Sequence, residues 1–294
     1  MCRWCMSSGA ICLWSICNHF FNILIKMETM KHLILYFILT LFIAALTGCD
    51  EIDEPYGNQI EIEEATELTR KAVIFEFTGI HCTNCPDGHV AIENIDSVYH
   101  GHVIPISVHA GFFAQPHGSE EPDFRTPFGN QLYESLEEPS TPAVIFASMN
   151  VDDAIVGATA SWQGEVGYFV PQYTKYIIEP TVSLAENAIS VNYEITERDA
   201  VASELRFYTY IIEDHIEGPQ TGSDINPYDH RHVLRKCISN LNGNTVNFTN
   251  GNANLSFTTE VDENWNLNNV YVVGIIVDGS TTEIYTGEQR KLIE

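Results

Sequence analysis

The sequence predicts an α/β domain over residues 66–178, followed by an all-β sandwich domain over residues 179–294. Two observations support this division. In the first region a buried strand, a helix and a second buried strand follow one another, which is the order of a parallel βαβ unit. In the second region apolar and polar residues alternate with the two-residue period of half-buried strands. The length also agrees with two domains, at roughly 150 residues per domain.

The predicted elements of the α/β region are short and mostly apolar. The first strand leads into a CxxC motif, and the apolar residues after that motif recur at helical intervals. A second strand follows the helix, and a long connection then leads to another helix and to a third strand, which Pro142 precedes. The predicted bounds are residues 71–78, 86–99, 103–109, 128–136 and 143–146.

The long connection after residue 109 contains three phenylalanines. Because it leaves the carboxyl end of a strand, we expect it at the sheet edge that holds the CxxC motif, where ligands of open α/β sheets bind. We interpret Phe112, Phe113 and Phe124 either as a cap on the core or as a cover for a hydrophobic partner.

The second region contains several alternating runs and no long helical pattern. This arrangement predicts an antiparallel sandwich that is immunoglobulin-like in outline. His230, His232 and Cys237 are interpreted as a satisfied polar pair and a buried free cysteine, or alternatively as a metal site. The predicted strands cover residues 189–195, 205–212, 246–248, 255–259, 270–277 and 282–285.

The amino-terminal segment has the features of an export signal. A basic start near Lys31 precedes a mostly apolar run of 13 residues over 33–45, which is too short to span a bilayer as a helix. With Gly48-Cys49 at its end, the segment over residues 30–48 resembles a bacterial lipoprotein signal. That resemblance implies cleavage before Cys49 and lipidation there, with residues 49–65 as an acidic tether. Residues 1–29 are interpreted as the product of a start codon placed too early.

The charge of the chain excludes one class of function. It has 14 basic and 40 acidic residues, for a formal net charge of −26. Nucleic-acid binding requires clustered Lys and Arg to neutralise phosphates, and the sequence has no such cluster. Anionic lipid also repels so acidic a protein, so membrane attachment is expected to depend on the lipid at Cys49.

The CxxC motif holds the residues most suited to chemistry. Cys82 and Cys85 lie where a strand gives way to a helix, and Pro86 suits the first turn of that helix. The positive end of a helix dipole favours a thiolate, so Cys82 is the expected attacking thiol and Cys85 the resolving thiol. Glu76, on the preceding strand, is a candidate to accept the proton of the resolving thiol.

The order of strand, CxxC, helix, strand, helix, Pro142 and strand resembles the thioredoxin fold. The resemblance implies a cis proline at Pro142 beside the cysteines and a Thr141-Pro142 pair that contacts the substrate backbone. His81 and His109 complete the expected substrate-binding set. Because the residues around the cysteines differ from the common Trp-Cys-Gly-Pro-Cys sequence, the reduction potential of the family cannot be transferred.

The lipoprotein signal, the tether, the CxxC module and the β-rich tail with residues 229–235 together resemble one family. It is the outer membrane lipoprotein family of the twenty-eight-kilodalton type from Bacteroides-like bacteria. The resemblance implies an outer-membrane location, on the periplasmic or the cell-surface side, and a thioredoxin-like domain.

Three functions remain open from the sequence. The first is thiol–disulfide exchange on exported or envelope proteins that contain cysteines, without a cofactor or a metal. The second is a surface binding or adhesion protein in which Cys82 and Cys85 form a structural disulfide. The third is carriage of a soft metal ion by the two cysteines together with His81, His89 or His109.

Overall fold

The computed structural model describes residues 65–149, 154–156, 158–170, 172–199 and 204–294. The predictions for residues 1–29, for the signal over residues 30–48, for Cys49 and for nearly all of the tether lie outside the described residues. Within the described ranges, no helix combines the length and the apolar character needed to cross a bilayer.

The amino-terminal half is a mixed α/β region, as the sequence predicts. Its strands β1 and β2 are parallel, and Thr78 at the end of β1 lies opposite His109 at the end of β2. Strand β3 pairs antiparallel with the other edge of β1. The elements are β1 (Ala72–Thr78), α1 (Cys85–Val98), β2 (Val103–His109), α2 (Pro127–Ser135), β3 (Ala143–Phe146), β4 (Ala154–Val156) and α3 (Thr159–Phe169).

Helices cover both faces of this sheet. Phe75 and Phe77 of β1 pack with Phe128 and Leu132 of α2 on one face. On the opposite face, Ile74 packs with side chains of α1 and α3. Because successive residues of a strand point to opposite faces, Glu76 lies on the α1 side.

The carboxyl-terminal half is all β, which confirms the predicted class of this region. The predicted strand over residues 246–248 is wrong, because the strand there is Asn244–Thr245. The elements are β5 (Tyr176–Ala185), β6 (Ala188–Glu197), β7 (Leu205–Glu213), β8 (Ile216–Gly218), β9 (Tyr228–His230), β10 (Val233–Cys237), β11 (Asn244–Thr245), β12 (Asn252–Glu260), β13 (Val270–Asp278) and β14 (Ile284–Lys291).

One sheet runs through both halves of the chain. Its order is β14-β13-β7-β10-β2-β1-β3-β4, and β11 also pairs with β7. The junction between the halves is the parallel pair β10 and β2, where Val233 lies opposite Ser107. The predicted boundary at residue 179 falls inside β5. The described residues accordingly belong to one compact unit.

The sandwich of the second half has one sheet of its own and one shared sheet. The separate sheet has the order β12-β6-β5 and is antiparallel. It packs on β7 and β13 through a core that includes Tyr193, Phe207 and Ile276. The alternation in the sequence correctly indicated half-buried strands, but it carried no information about which strands would pair with the α/β region.

Candidate functional site

Cys82 and Cys85 form a disulfide in the structure, with their Cα atoms 5.4 Å apart. Cys85 is the first residue of α1, and Pro86 follows it in the first turn, where its missing N–H leaves no hydrogen bond unmade. The capping residue Asn84 provides no side-chain hydrogen bond to the helix. Because Cys85 begins α1, the amino-terminal end of this helix faces the cysteine pair, as the sequence predicts.

Thr141 and Pro142 lie beside the cysteine pair. The Thr141 hydroxyl donates a hydrogen bond to Sγ of Cys82 over 3.5 Å, and the Thr141–Pro142 peptide bond is cis. Pro142 also packs against α1, because a Cβ atom placed on Gly88 would be 2.9 Å from the Cβ of Pro142. The fold thus brings together cysteine and proline positions that are far apart in the sequence.

Glu76 is buried beneath the first turns of α1. A Cβ atom on Gly88 would also lie 2.8 Å from Oε1 of Glu76, so glycine is required for the close approach of helix and carboxyl group. Burial raises the pKa of Glu76 to about 8, against the opposing effect of the hydrogen bond donated by Ser107 over 3.2 Å. The carboxyl group is therefore mostly protonated at neutral pH. Its Oε1 has no hydrogen-bond partner among the described residues.

Three histidines share a cavity with this carboxyl group, of which His109 and His230 are buried and His89 is partly buried. His89 on α1, His109 on β2 and His230 on β9 line the same small cavity as Glu76, with a volume of about 20 Å³. Burial is the main cause that lowers the pKa of His89 to about 3 and of His230 to about 4, and it lowers the pKa of His109 well below the usual value. All three rings are therefore neutral at pH 7. We call Glu76 and these three residues the buried polar cluster.

His89 links the buried polar cluster to the carboxyl-terminal half of the chain. Its Nε2 lies 2.8 Å from the Thr78 hydroxyl, and its Nδ1 lies 2.7 Å from the Tyr228 hydroxyl. The same Nε2 is 3.8 Å from Oε1 of Glu76. Because His89 is neutral and Glu76 is mostly protonated near pH 7, this contact is not an ion pair.

The segment between β8 and β9 covers the cysteine pair. We call residues 219–223 the strap. The Gln220 side chain donates to the carbonyl oxygens of Gly79, at 3.2 Å, and Cys82, at 3.0 Å. The Thr221 N–H donates to the carbonyl oxygen of Ile80 over 2.8 Å. Gly222 packs directly against the peptide group of Thr83.

As a result, both cysteines are buried: Cys82 is 3% exposed and Cys85 is 0% exposed. From the sequence we expected Cys82 to be the outer, attacking thiol. In the structure Cys82 lies at the helix start, as expected, but it is covered. The strap was not foreseen because it joins the motif from a segment more than 130 residues later in the chain.

The loop after β2 lies next to the CxxC motif, as predicted. Its three phenylalanines differ in environment. Phe124 is buried, whereas Phe112 is 77% exposed and Phe113 is 44% exposed. The core-cap interpretation therefore holds for Phe124 only, and the other two present an apolar surface beside His81.

The histidines predicted to act at this site separate into two groups. His81 lies near the surface, where its Nε2 is 3.0 Å from Oε2 of Glu121 and its ring stacks on that of His117. His89 and His109 belong to the buried polar cluster. His109, predicted to contact substrate, packs instead on Phe124 and His230. The three histidines that the sequence offered as alternative metal ligands beside the cysteines therefore lie in two different environments.

The remaining residues singled out in the sequence have local roles. Asp214 pairs with His232, with their atoms 3.2 Å apart. Cys237 is a partly buried free cysteine, and its sulfur is 3.3 Å from the Ser239 hydroxyl. His230 lies inside the buried polar cluster. His230, His232 and Cys237, the alternative metal site of the sequence analysis, therefore do not form one site.

Comparison with known protein families finds a match for the carboxyl-terminal half of the chain. Residues 174–292 match the family model described as outer membrane protein Omp28, which confirms the resemblance found in the sequence. No curated protein sequence matches the chain.

Solved structures show the same fold over most of the chain. HBP35 of Porphyromonas gingivalis is similar with a TM-score of 0.64 and 18% identity, over 76% of each chain. Protein AGR_C_4864 from Agrobacterium tumefaciens has a TM-score of 0.51 and 13% identity, over 79% of this chain and 97% of that chain. A domain of the outer membrane lipoprotein Omp28 from P. gingivalis has 19% identity over 41% of this chain and 89% of that chain. Its TM-score of 0.31 is too low to establish a shared fold.

Proposed function

We propose that the chain is an outer membrane lipoprotein of the Omp28 type whose thioredoxin-like module carries out thiol–disulfide exchange at Cys82 and Cys85. The match of residues 174–292 to the Omp28 family model supports the family and the location. The lipoprotein-type signal before Cys49 supports export and lipid anchoring. Two facing β-layers support an immunoglobulin-like outline for the carboxyl-terminal half.

One observation carries the redox proposal. The Cys82–Cys85 disulfide lies at the start of α1, and the Thr141 hydroxyl is 3.5 Å from Sγ of Cys82. A hydroxyl donor and a helix amino terminus both stabilise a thiolate, so the arrangement favours the reduced form of Cys82 as a nucleophile. A purely structural disulfide has no need for a thiolate-stabilising donor.

Starting from the oxidised protein, the exchange takes place in two steps. A substrate thiolate attacks Sγ of Cys82, the Cys82–Cys85 bond breaks, and its electron pair moves to Sγ of Cys85, which takes up a proton. A second substrate thiolate then attacks the mixed disulfide and releases Cys82 as a thiolate. The substrate gains a disulfide and loses two electrons to the cysteine pair. The reverse sequence reduces a substrate disulfide.

Glu76 is the group best suited to exchange the proton of Cys85. It is buried against the first turns of α1 and mostly protonated near pH 7, since burial raises its pKa to about 8. It can donate a proton to the departing Cys85 thiolate and recover it in the reverse step. Exported proteins that contain cysteines are the proposed substrates.

The test is a redox titration of the purified full chain in glutathione buffers, with the Cys82–Cys85 state read by alkylation and mass spectrometry. We expect a reversible two-electron transition. In a Cys85→Ala variant the Cys82 thiolate should attack a disulfide substrate such as oxidised glutathione, release one thiolate and accumulate as the mixed disulfide. Cys237→Ser is the matched control, because that cysteine is free, and it should titrate like the wild type. A pair that cannot be reduced without unfolding the protein would refute the proposal.

The burial of both cysteines favours a second candidate function. If the strap never opens, the disulfide is structural and the protein acts by binding a partner, with Phe112 and Phe113 as exposed apolar contacts. A Cys82→Ser, Cys85→Ser double variant separates the two functions. It should lose all exchange activity under the first, and it should retain partner binding under the second.

A further inference from the structure

Three side chains on the loop side of the CxxC motif face one another. The ligand atoms of His81, His117 and Glu121 all lie within 4.8 Å of one another. Nε2 of His81 is 3.0 Å from Oε2 of Glu121, and the two imidazole rings stack with their centroids 3.7 Å apart. His81 and Glu121 are partly buried, and His117 is exposed. Solvent therefore reaches the group from one side.

The backbone holds the two segments that carry these residues. Gly79 packs against the peptide group of Phe113 so closely that no side chain fits between them. The His81 N–H donates to the carbonyl oxygen of Phe113 over 2.9 Å. The His117 N–H donates to Oε2 of Glu121 over 2.6 Å, which fixes that carboxylate beside both rings. These bonds hold the two segments and the Glu121 carboxylate in place before any ligand arrives.

We propose that His81, His117 and Glu121 bind a divalent transition-metal ion of the zinc(II) class. Two imidazole nitrogens and one carboxylate oxygen are ligands that zinc accepts, at about 2.0–2.2 Å. Magnesium and calcium prefer oxygen ligands alone, so the donor set disfavours them. With three protein ligands, the fourth position of a tetrahedral ion faces solvent.

The charge around the site suits a cation. The His117 N–H and then His81 lower the pKa of the Glu121 carboxyl group, so it is ionised at neutral pH. The ion would replace the proton that now joins His81 to Glu121. Because the two rings are parallel to within 8°, their in-plane lone pairs do not converge, and the exposed His117 ring must rotate to complete the site.

The proposal does not depend on thiol–disulfide exchange. Its ligands exclude Cys82 and Cys85, which are joined to each other in the structure. The experiment therefore uses the oxidised protein, in which neither sulfur is available as a thiolate. A loss of redox activity would leave the metal site intact, and a failure to bind metal would leave the redox proposal intact.

The test is calorimetric titration of the chelator-stripped full chain with Zn²⁺, with Mg²⁺ in excess to occupy unspecific acidic sites. We expect one saturable site, with affinity at least tenfold weaker in His117→Ala and in Glu121→Gln. His100→Ala is the matched control, because His100 is also exposed and lies outside the cluster, and it should bind like the wild type.

The thermal melt of His117→Ala without metal should match that of the wild type, since His117 is exposed. Equal Zn²⁺ affinity in the wild type and in His117→Ala would overturn the proposal, and so would the absence of a saturable site. An equal loss of affinity in His100→Ala would also overturn it, because the binding would then be unspecific.

Discussion

Gly222 of the strap packs against the Thr83 peptide group between the two cysteines, so closely that a methyl group at position 222 would overlap the Thr83 carbonyl oxygen. Gly222 also has a positive φ of 86°, which glycine adopts at no steric cost. The carboxyl-terminal half of the chain therefore touches the CxxC motif by direct backbone contact.

Gly222→Ala is expected to lift the strap from the CxxC motif. The disulfide should then be reduced faster by a small thiol at sub-denaturing concentration, as measured by alkylation and mass spectrometry over time. Gly251→Ala is the matched control, because Gly251 also has a positive φ, of 77°, while its nearest contact would be at 3.8 Å. It should lose a similar amount of stability to backbone strain, about 1 kcal/mol, without faster reduction. Equal reduction rates in the two variants would show that the strap does not limit access.

Gly88→Ala is expected to destabilise the protein, although alanine usually stabilises a helix relative to glycine. The added methyl group would meet Glu76 and Pro142 at less than 3 Å, and such overpacking costs about 1–3 kcal/mol. Gly164→Ala in α3 is the control. Nothing lies within 4 Å of its added methyl group, so it should stabilise the protein by about 0.5–1 kcal/mol. Urea unfolding measures both, and stabilisation by Gly88→Ala would contradict the packing described above.

Glu76 is expected to make the protein less stable as the pH rises from 6.5 to 8. In this range the carboxyl group is mostly protonated in the folded state, where its pKa is about 8, and ionised in the unfolded state. Unfolding therefore releases a proton, and the free energy of unfolding should fall by up to about 1.4 kcal/mol per pH unit. In Glu76→Gln this decline should disappear. Urea unfolding at several pH values and constant ionic strength provides the measurement, and an unchanged slope would be the contrary result.

The buried histidines are expected to have the opposite effect below pH 6.5. His89, His109 and His230 are neutral when folded and take up protons when unfolded, so stability should fall as the pH drops from 6.5 to 5. His109→Phe keeps an aromatic ring against Phe124 and removes one titrating group. In this pH range, the slope of the free energy of unfolding against pH should then correspond to the uptake of about one proton fewer on unfolding. The same slope in both proteins would mean that His109 is charged when folded.

Thr141→Val is expected to make the cysteine pair more difficult to reduce. The variant keeps the shape of the side chain but removes the hydroxyl that donates to Sγ of Cys82. A hydrogen bond to a charged group contributes about 1.5–3 kcal/mol. Because this bond is long, at 3.5 Å, we expect it to stabilise the Cys82 thiolate by about 1 kcal/mol. The reduction potential should fall by about 20 mV, as measured in glutathione buffers. Thr69→Val, remote from the cysteines, should leave the potential unchanged.

Local sequence patterns were sufficient to predict the core of the α/β region. The apolar runs of β1 and β2 gave the parallel pair, and Pro86 marked the start of α1. The position of Pro142 beside Cys82 followed from the resemblance in element order. Helix α3 was missed, because Gly164 and Gly167 weaken its helical signal around the buried Trp162.

The contacts that the sequence did not reveal are those between distant segments. His89 and Tyr228 are separated by 139 positions, and no local pattern marks either residue as a partner of the other. The pairing of β10 with β2 likewise joins distant segments, and no local pattern predicts it. Apolar alternation depends on burial of one strand face, whereas the choice of a neighbouring strand depends on the whole fold.

The continuous sheet has a consequence for any attempt to isolate the α/β region with its CxxC motif. A fragment that ends before residue 179 would leave the edge of β2 without its neighbour β10, and it would also lack the strap over Cys82. Such a fragment would expose an unpaired apolar strand and would measure the reactivity of an uncovered cysteine pair. The reactivity of the cysteine pair thus depends on both halves of the chain. A substitution near residue 220 can alter that reactivity as directly as one beside the cysteines.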